Sequence, residues 1–336
     1  ACNASLTTAD NNTAVGSGSL GLNTTGTGNT AVGRSSLVEN TTANNNTAVG
    51  YLALTSNTTG LSNTAIGKDA LQAATTGSYS TAVGAEALET QTTANYNTGL
   101  GFRALRLSTA SNNTAVGFEA LKENTTGTEN TSVGANSLKT NTTGNYNNAQ
   151  GHKALELNTT GNSNTAMGDF TLRQNTTASN NTACGASALT ANTTGTGNTA
   201  VGKGALPANT TGNNNVAVGK DAMQDNTTGI QNVAIGQNAL ADNTTANNNV
   251  AVGYKAMRLT TTGDSCVAVG YQALDANTTG SANVAVGPSA LGANTNGFSN
   301  TAVGADSLTK NTTGDYNVAI GQFAAEQNTT ANRNTA

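Results

Sequence analysis

Few residues of this chain have side chains suited to catalysis or metal binding, and none of them recurs with a partner at a fixed spacing. His152 is the only histidine among 336 residues, and Lys153 stands beside it. Aspartates and glutamates form no recurrent pair, and the glycine pattern lacks the Lys-Ser or Lys-Thr of a phosphate-binding loop. A calcium-binding nonapeptide repeat would need a recurrent aspartate. We therefore predict no enzyme activity, no metal site and no cofactor.

The three cysteines do not indicate a disulfide framework. Cys184 and Cys266 occupy different positions of the repeat described below, five coils apart. Stacked strands lie about 4.8 Å apart, which separates these two cysteines by roughly 24 Å, whereas a disulfide needs Cα atoms within about 7 Å. Cys184 replaces a valine that we expect in the core, so we predict a buried thiol there. Cys2 is a candidate for pairing with another chain.

One motif with chemical meaning does recur, the triplet Asn-Thr-Thr. It fits Asn-x-Thr, the acceptor motif for N-linked glycans in secreted proteins. Two interpretations stay open: a row of glycans along the molecule, or a turn whose sequence only coincides with the motif. The paired threonines are equally candidates for O-linked sugar. The candidate acceptor asparagines are Asn23, Asn40, Asn57, Asn124, Asn141, Asn158, Asn175, Asn192, Asn209, Asn226, Asn243, Asn277, Asn311 and Asn328.

These triplets belong to a repeat that runs the length of the chain. Asn-Thr-Ala-Val-Gly begins at Asn12 and recurs every 17 residues until Asn334, apart from one spacing of 16 between Asn97 and Asn113. A short fixed period indicates one small unit stacked on copies of itself, and helical repeats need about 30 residues or more. We predict an all-β protein: a parallel β-solenoid (β-roll or β-helix) of about 20 stacked coils, forming a single domain over residues 1–336.

The repeat is numbered here from its first Asn, so that Asn-Thr-Ala-Val-Gly fills positions 1 to 5. Val or Ile at position 4 and Leu at position 9 are the expected core, and position 2 (Thr or Val) shares a strand face with position 4. One strand is predicted over positions 1 to 4 and a second over positions 8 to 10. Gly fills position 5 in all 19 coils that reach it, which indicates a corner with positive φ or no room for a Cβ. Positions 6, 7, 10 and 11 vary freely and are expected to be solvated.

Two other kinds of residue are nearly constant along the chain. Asn fills position 1 in 18 of 20 coils and position 12 in 15 of 19, and stacked amides can hydrogen-bond from coil to coil. Ala fills position 3 in 18 of 20 coils, although it points away from the expected core face. We infer that position 3 is packed, either inside a flattened coil or against another chain; the second option predicts lateral association along this alanine row.

The two ends of the chain complement each other. Residues 334–336 occupy positions 1 to 3, and if Ala1 followed Ala336, Ser5 would fall on position 8 and Leu6 on position 9. Residues 1–11 and 334–336 are therefore expected to be partial coils. We predict head-to-tail stacking of copies into a filament, and the alternative is that both ends are boundaries within a longer repeat chain. The predicted assembly seam consists of Ala1, Cys2, Ser5, Leu6, Asn334, Thr335 and Ala336.

Composition argues against two classes of partner. The net charge is −4, and the 14 lysines and arginines are scattered singly, so we predict no nucleic-acid surface. A transmembrane helix needs about 18 consecutive apolar residues, and the chain has no such run, so we predict no membrane span. We predict an extracellular or cell-surface location.

The segments Asn232-Val233-Ala234-Ile235-Gly236 and Asn317-Val318-Ala319-Ile320-Gly321 resemble the Asn-Ser-Val-Ala-Ile-Gly repeat in head domains of trimeric autotransporter adhesins. Those heads are stacked β-rolls on bacterial surfaces that bind matrix and host proteins. Similar Asn-Thr-Ala-Val-Gly arrays look like repeats of phage tail-fibre-type proteins. The resemblance implies a β-roll and an adhesive or receptor-binding role, although the period of 17 exceeds that of the adhesin repeat.

The sequence therefore supports three functional hypotheses. The first is an extracellular structural protein whose main partner is itself, as a head-to-tail homopolymer. The second is an adhesin or phage tail-fibre binding rod, whose ligand would be a surface glycan or a host protein. The third and least favoured is an ice-binding solenoid. Such proteins use regular threonine arrays on one face, whereas the paired threonines at positions 13 and 14 are adjacent and point to opposite sides.

Overall fold

The computed structural model describes residues 9–336, which form two compact units that meet in the sequence at Asn164 and Thr165. Unit 1 contains described residues 9–164, and unit 2 contains Thr165–Ala336. In both units the described strands are three residues long, fill positions 2 to 4 of successive coils, and pair in parallel. This confirms the predicted all-β class and the parallel β-solenoid with a 17-residue coil.

The strands follow one another at the repeat spacing. In the described part of unit 1 they are β1 Thr13–Val15, β2 Thr30–Val32, β3 Thr47–Val49, β4 Thr64–Ile66, β5 Thr81–Val83, β6 Thr98–Leu100, β7 Thr114–Val116, β8 Thr131–Val133 and β9 Asn148–Gln150. In unit 2 they are β10 Thr165–Met167, β11 Thr182–Cys184, β12 Thr199–Val201, β13 Val216–Val218, β14 Val233–Ile235, β15 Val250–Val252, β16 Val267–Val269, β17 Val284–Val286, β18 Thr301–Val303 and β19 Val318–Ile320.

Equivalent positions of neighbouring coils lie opposite each other within each unit. Ala31 pairs with Ala48, for example, and the shortened coil keeps the same register, because Thr98 still pairs with Thr114. A slip of one residue would exchange the side chains of the two strand faces, so the alternation of small and β-branched residues fixes the register. The missing residue of the shortened coil is absorbed in its return loop.

The strand face that points into the coil is the opposite of the predicted one. Ala31 and Ala234 at position 3 are completely buried, whereas Val15 and Ile235 at position 4 are 57% and 41% exposed. Because successive strand residues point to opposite faces, positions 2 and 4 both face outward. The predicted core role of position 4 is therefore wrong, and the packing of position 3 inside the coil is confirmed. From Ala31 to Ala319 this row of small residues is covered by its own coil.

The apolar core of each coil consists of one large side chain and two small ones. Leu37 and Leu155 at position 9 are fully buried, as predicted, and so are Ala53 and Ala70 at position 8. With alanine at positions 3 and 8, the two walls of a coil can approach closely around the leucine. Burial of each leucine stabilises the fold by roughly 2 kcal/mol. Because the apolar core is narrow, polar groups fill much of the coil interior.

The return segment is a series of turns, and the predicted second strand at positions 8 to 10 is wrong. Leu37 and Leu54 have φ of 52° and 51°, a left-handed conformation that bulky residues rarely adopt. Coil-to-coil hydrogen bonds persist nevertheless, since the Leu37 amide donates to the Ala53 carbonyl at 3.0 Å and the Glu39 amide donates to the Thr55 carbonyl at 3.0 Å. Turning residues at positions 7 and 9 wrap the chain around the buried leucine.

The glycine at position 5 forms the corner between strand and turns. Gly236 has a φ of +131°, and a Cβ there would lie 2.5 Å from the carbonyl oxygen of Gly253 in the next coil. Both expectations for this position, positive φ and lack of space, are therefore confirmed. Residues with a Cβ are excluded here because the backbones of stacked corners lie in contact and leave no space for it.

Candidate assembly surfaces

The asparagines of position 12 form a ladder inside the coils. The Nδ2 of Asn40 donates to the Oδ1 of Asn23 at 2.9 Å and to the Ala43 carbonyl at 3.1 Å. The next asparagine repeats this pattern, with Asn57 donating to the Oδ1 of Asn40 at 3.0 Å and to the Gly60 carbonyl at 2.9 Å. All three side chains are buried. Each amide therefore ties its own return loop and the preceding coil together.

The asparagines of position 1 form a second ladder that meets the first. The Nδ2 of Asn29 donates to the Ala43 carbonyl at 2.8 Å, and its Oδ1 accepts from the backbone amide of Asn46 at 2.9 Å. The carbonyl of position 15 thus accepts from both ladders, since Asn40 also donates to Ala43. Buried amides need such partners, and this arrangement supplies them without water. The structure confirms the predicted asparagine stacking.

The same geometry bears on the candidate N-glycosylation sites, because the acceptor asparagines are those of position 12. Thirteen of the fourteen side chains are buried, and Asn328 is half-buried. A glycan on Nδ2 would replace one of two hydrogens that both donate inside the coil, as they do in Asn209 and Asn226. Burial therefore argues against N-linked sugar on folded coils, and modification stays a prediction for mass measurement.

The paired threonines have different surroundings. The position-13 hydroxyl bonds to the next coil, as where Thr58 Oγ1 donates to the Thr75 carbonyl at 3.1 Å. The position-14 side chain, for example Thr59 or Thr245, is exposed. Any O-linked sugar would therefore have one accessible row, position 14.

Departures from asparagine in the ladders come with compensating changes. Position 1 of the fifth coil is the shorter Ser80 and position 12 is the longer Gln91, whose Nε2 donates to Ser80 Oγ at 3.0 Å and to the Ala94 carbonyl at 2.9 Å. In addition, Asn97 Nδ2 donates to Gln91 Oε1 at 2.7 Å. Both residues are exceptions to the asparagine rows, and their occurrence in one coil is the signal in the sequence that could have indicated this coupling.

The predicted assembly seam is described only on its C-terminal side. Asn334 Nδ2 donates to Asn317 Oδ1 at 2.9 Å, and Thr335 pairs in parallel with Val318. The amide of Ala336 donates to the Val318 carbonyl at 2.9 Å. These residues occupy positions 1 to 3 of a coil that stacks on β19. Ala1, Cys2, Ser5 and Leu6 lie outside the described residues, so joining of the two sides remains a prediction.

The outer sheet face of unit 2 carries a row of β-branched apolar side chains. Positions 2 and 4 of β10–β19 contain no charged residue. Five successive strands, β13–β17, have Val or Ile at both positions, and Ile235 and Val269 are 41% and 38% exposed. We call these ten side chains the apolar strip: Val216, Val218, Val233, Ile235, Val250, Val252, Val267, Val269, Val284 and Val286.

Unit 1 carries a ladder of charged side chains at positions 7 and 10 of neighbouring coils. Arg103 Nε lies 2.7 Å from Glu86 Oε2, and Glu119 accepts from Lys122 at 3.1 Å and from Lys139 at 2.7 Å. A hydrogen bond from Arg103 lowers the pKa of Glu86, although burial opposes it. Burial raises the pKa of Glu119, but the hydrogen bonds from Lys139 and Lys122 outweigh it, so that its pKa lies below its usual range. The sequence analysis did not predict this ladder because positions 7 and 10 vary freely from coil to coil.

Two cysteines and the histidine lie within the described residues. Cys184 is exposed, so its predicted burial is wrong for the same reason as that of the position-4 valines. Cys266 is buried, and desolvation raises the pKa of its thiol to about 11. Neither forms a disulfide, and His152 is exposed. Within residues 9–336, no group of three or more His, Cys, Asp or Glu side chains is placed to hold a metal ion.

No helix in residues 9–336 is long and apolar enough to cross a membrane. Comparison with models of known protein families gives no match, and a search of curated proteins gives no significant match. The resemblance to adhesin and tail-fibre repeats therefore stands on the five-residue motif.

Proposed function

We propose that this protein is an extracellular structural repeat protein whose copies join end to end into a filament of a cell surface or matrix. The observation that carries this proposal is that one set of coil-to-coil contacts is repeated within each unit. Backbone amides, both asparagine ladders and the position-13 hydroxyls are directed at the neighbouring coil. A coil edge that is not yet paired offers this same set to a further coil, whichever chain supplies it.

The charged and polar groups of the described residues support a structural role over a catalytic one. The buried amides serve the ladders, and the best-defined ion pairs, such as Arg103–Glu86 and Lys139–Glu119, connect one coil with another. These polar groups thus connect one coil with the next.

Electron microscopy of the purified chain at neutral pH, with and without reductant, tests the filament. We expect fibres with an axial repeat of roughly 95 Å, the length of about 20 stacked coils. Deletion of residues 1–6 should abolish elongation, while the control substitution Cys184→Ser should leave it intact. Loss of fibres in reductant would implicate Cys2 in the junction. Discrete short particles, or fibres that persist after the deletion, would contradict the seam.

An adhesive or receptor-binding rod is the second candidate, favoured by the resemblance and by aromatic rings on the outside of the coils. Tyr254 and Tyr271 at position 6 stack at 5.6 Å between ring centroids, and both are exposed. Exposed rings of this kind suit contact with a sugar or a protein surface. Binding of the intact chain to a glycan array, lost in Tyr254→Ala/Tyr271→Ala and kept in Thr262→Ala/Thr279→Ala at the exposed position 14 of the same two coils, would favour this candidate.

Ice binding gains one observation from the structure. Thr at position 2 and Val at position 4, for example Thr30 and Val32, both face outward and stack in register on one sheet. The threonine row is interrupted at Asn148 and replaced by valine from Val216 to Val284, so we rank this candidate third. Unchanged ice recrystallisation in the presence of the protein would remove it.

A further inference from the structure

The outer face of unit 2 is an uncovered side of a parallel sheet. In α/β proteins both faces of a parallel sheet are covered, because crossover helices lie against them. Here the coil itself covers the inner face, where Ala217, Ala234 and Ala251 are fully buried. The apolar strip remains on the outside, and contiguous exposed apolar surface of this kind marks an interaction site.

The dimensions of this face favour a long partner. Ten strands at about 4.8 Å extend over roughly 48 Å, and two outward side chains per strand give a width of about 11 Å. Such a face buries on the order of 500 Å² per partner, or about 1,000 Å² in total, which is near the lower limit for a specific protein interface. A partner that contacted only a few coils would bury too little area.

The repeat spacing and the charge distribution identify a partner that fits over this length. Val or Ile recurs at positions 2 and 4 of each coil from β13 to β17, and a second copy of this chain carries the same rows with the identical spacing. Because positions 2 and 4 of β10–β19 are uncharged, two copies with a net charge of −4 each can bring these faces together without burying an ion.

We propose that the apolar strip and the adjoining outer face of β10–β19 form a homodimer contact, in which the faces of two copies pack against each other. A symmetric pair uses the same patch on both copies and closes on itself. This contact is lateral and does not depend on joining of the chain ends. Because the buried area is near the lower limit for a specific interface, we expect the association to be reversible.

The test is sedimentation equilibrium of the full chain, with two charges introduced into the strip. Ile235→Lys/Val252→Lys places lysines at outward positions, so we expect the chain to fold as before. Circular dichroism checks that folding is maintained. The matched control is Thr245→Lys/Thr262→Lys, which adds the same charges at exposed position 14 of the same two coils. We expect the dimer dissociation constant to rise about 100-fold or more in the strip variant, because a buried unpaired charge opposes association. The control should remain at the wild-type value.

A wild-type chain that stays monomeric up to roughly 100 μM, a concentration at which even weak complexes form, would overturn the proposal. So would equal dissociation of the strip variant and the control. If the wild-type chain forms fibres, microscopy separates the two contacts. End-to-end joining sets fibre length, whereas the lateral contact sets fibre width. Only the width should fall in Ile235→Lys/Val252→Lys, and an unchanged width would also overturn the lateral contact.

Discussion

Single asparagine side chains inside these coils perform the task that backbone amides perform in a sheet. The Nδ2 of position 12 donates once within its coil and once to the preceding coil, as in Asn209. A buried amide oxygen that receives no such donor costs free energy, because it has lost its water. The ladder is interrupted at Ala74, and the Oδ1 of Asn57 consequently has no hydrogen-bond partner while buried.

Restoring the ladder at this point should stabilise unit 1. Ala74→Asn would place an Nδ2 between the Oδ1 of Asn57 and the Gly77 carbonyl, repeating the geometry of Asn57 itself. We expect the free energy of unfolding to rise by about 1 kcal/mol, the usual net value of a hydrogen bond. The denaturant midpoint measures this. The neighbouring substitution Ala73→Asn, outside the buried row, serves as the control, and an equal gain there would refute the ladder explanation.

Ser80 and Gln91 should behave as one unit. Each single change, Ser80→Asn or Gln91→Asn, leaves the other side chain too long or too short for its partners, so we expect losses of about 1–2 kcal/mol each. The double variant regains the common asparagine pair of the other coils and should recover most of this loss. A double-mutant cycle measures the coupling, and additive single effects would show that the two residues are independent.

At the scale of the element, the coil depends on its glycine corner. Gly236→Ala introduces a Cβ against the Gly253 carbonyl at a φ that disfavours alanine, so we expect a loss of about 3 kcal/mol or more. Gly292→Ala is the control, because its φ is not positive, the equivalent residues of the neighbouring coils are Asp275 and Thr309, and the atom nearest to an added Cβ would be the Ser289 carbonyl oxygen of its own coil at 3.0 Å. That variant should lose less than about 1 kcal/mol.

Hydrogen exchange would locate the damage of the corner variant. Since each coil contacts only its neighbours, amides of β13–β15 should lose protection while those of β17 and β18 keep it. Uniform loss of protection throughout unit 2 would mean that its coils open together.

The charged ladder predicts how unit 1 responds to acid. The pKa values of Glu86 and Glu119 are lower in the folded than in the unfolded state, so their contribution is fully present above the unfolded value of about 4.3. It is lost as the pH falls through the lower folded values. We expect the melting temperature to fall below about pH 4.5, and less so in Glu86→Gln/Glu119→Gln. The control Glu39→Gln, an exposed carboxyl, should retain the wild-type pH profile.

Sequence periodicity determined the coil but not which side of the strand is inside. The Gly corner, the asparagine ladders and the buried leucine followed from constancy along the chain. Position 4 was assigned to the core because most of its residues are hydrophobic. However, Gln150 and Cys184 also occur there, whereas position 3 accepts only Ala, Gly or Ser, and this narrower range of residues marks the buried position. The prediction of a second strand was wrong because nothing in the sequence indicates that the position-9 leucine has a left-handed backbone conformation. Its φ near 50° is imposed by burial and by coil-to-coil hydrogen bonds.

At the scale of the whole chain, the burial of the position-12 asparagines predicts the mass of the secreted protein. Because thirteen candidate acceptors are buried, we expect chain secreted from a glycosylating host to have the mass of the unmodified polypeptide, with Asn328 as the one accessible exception. Intact-mass spectrometry decides this directly. A ladder of regular mass increments would show that modification precedes folding, and the same species treated with an N-glycan-removing enzyme would distinguish N-linked from O-linked sugar.

The parallel pairing of equivalent residues has a consequence for heredity. Where Ala31 faces Ala48 and Ala217 faces Ala234, gain or loss of one 17-residue segment re-creates the same neighbours on either side of the junction. Recombination between repeats of the gene can therefore change the number of coils without creating a misfit. Length becomes a heritable variable that changes in steps of one coil, about 4.8 Å each.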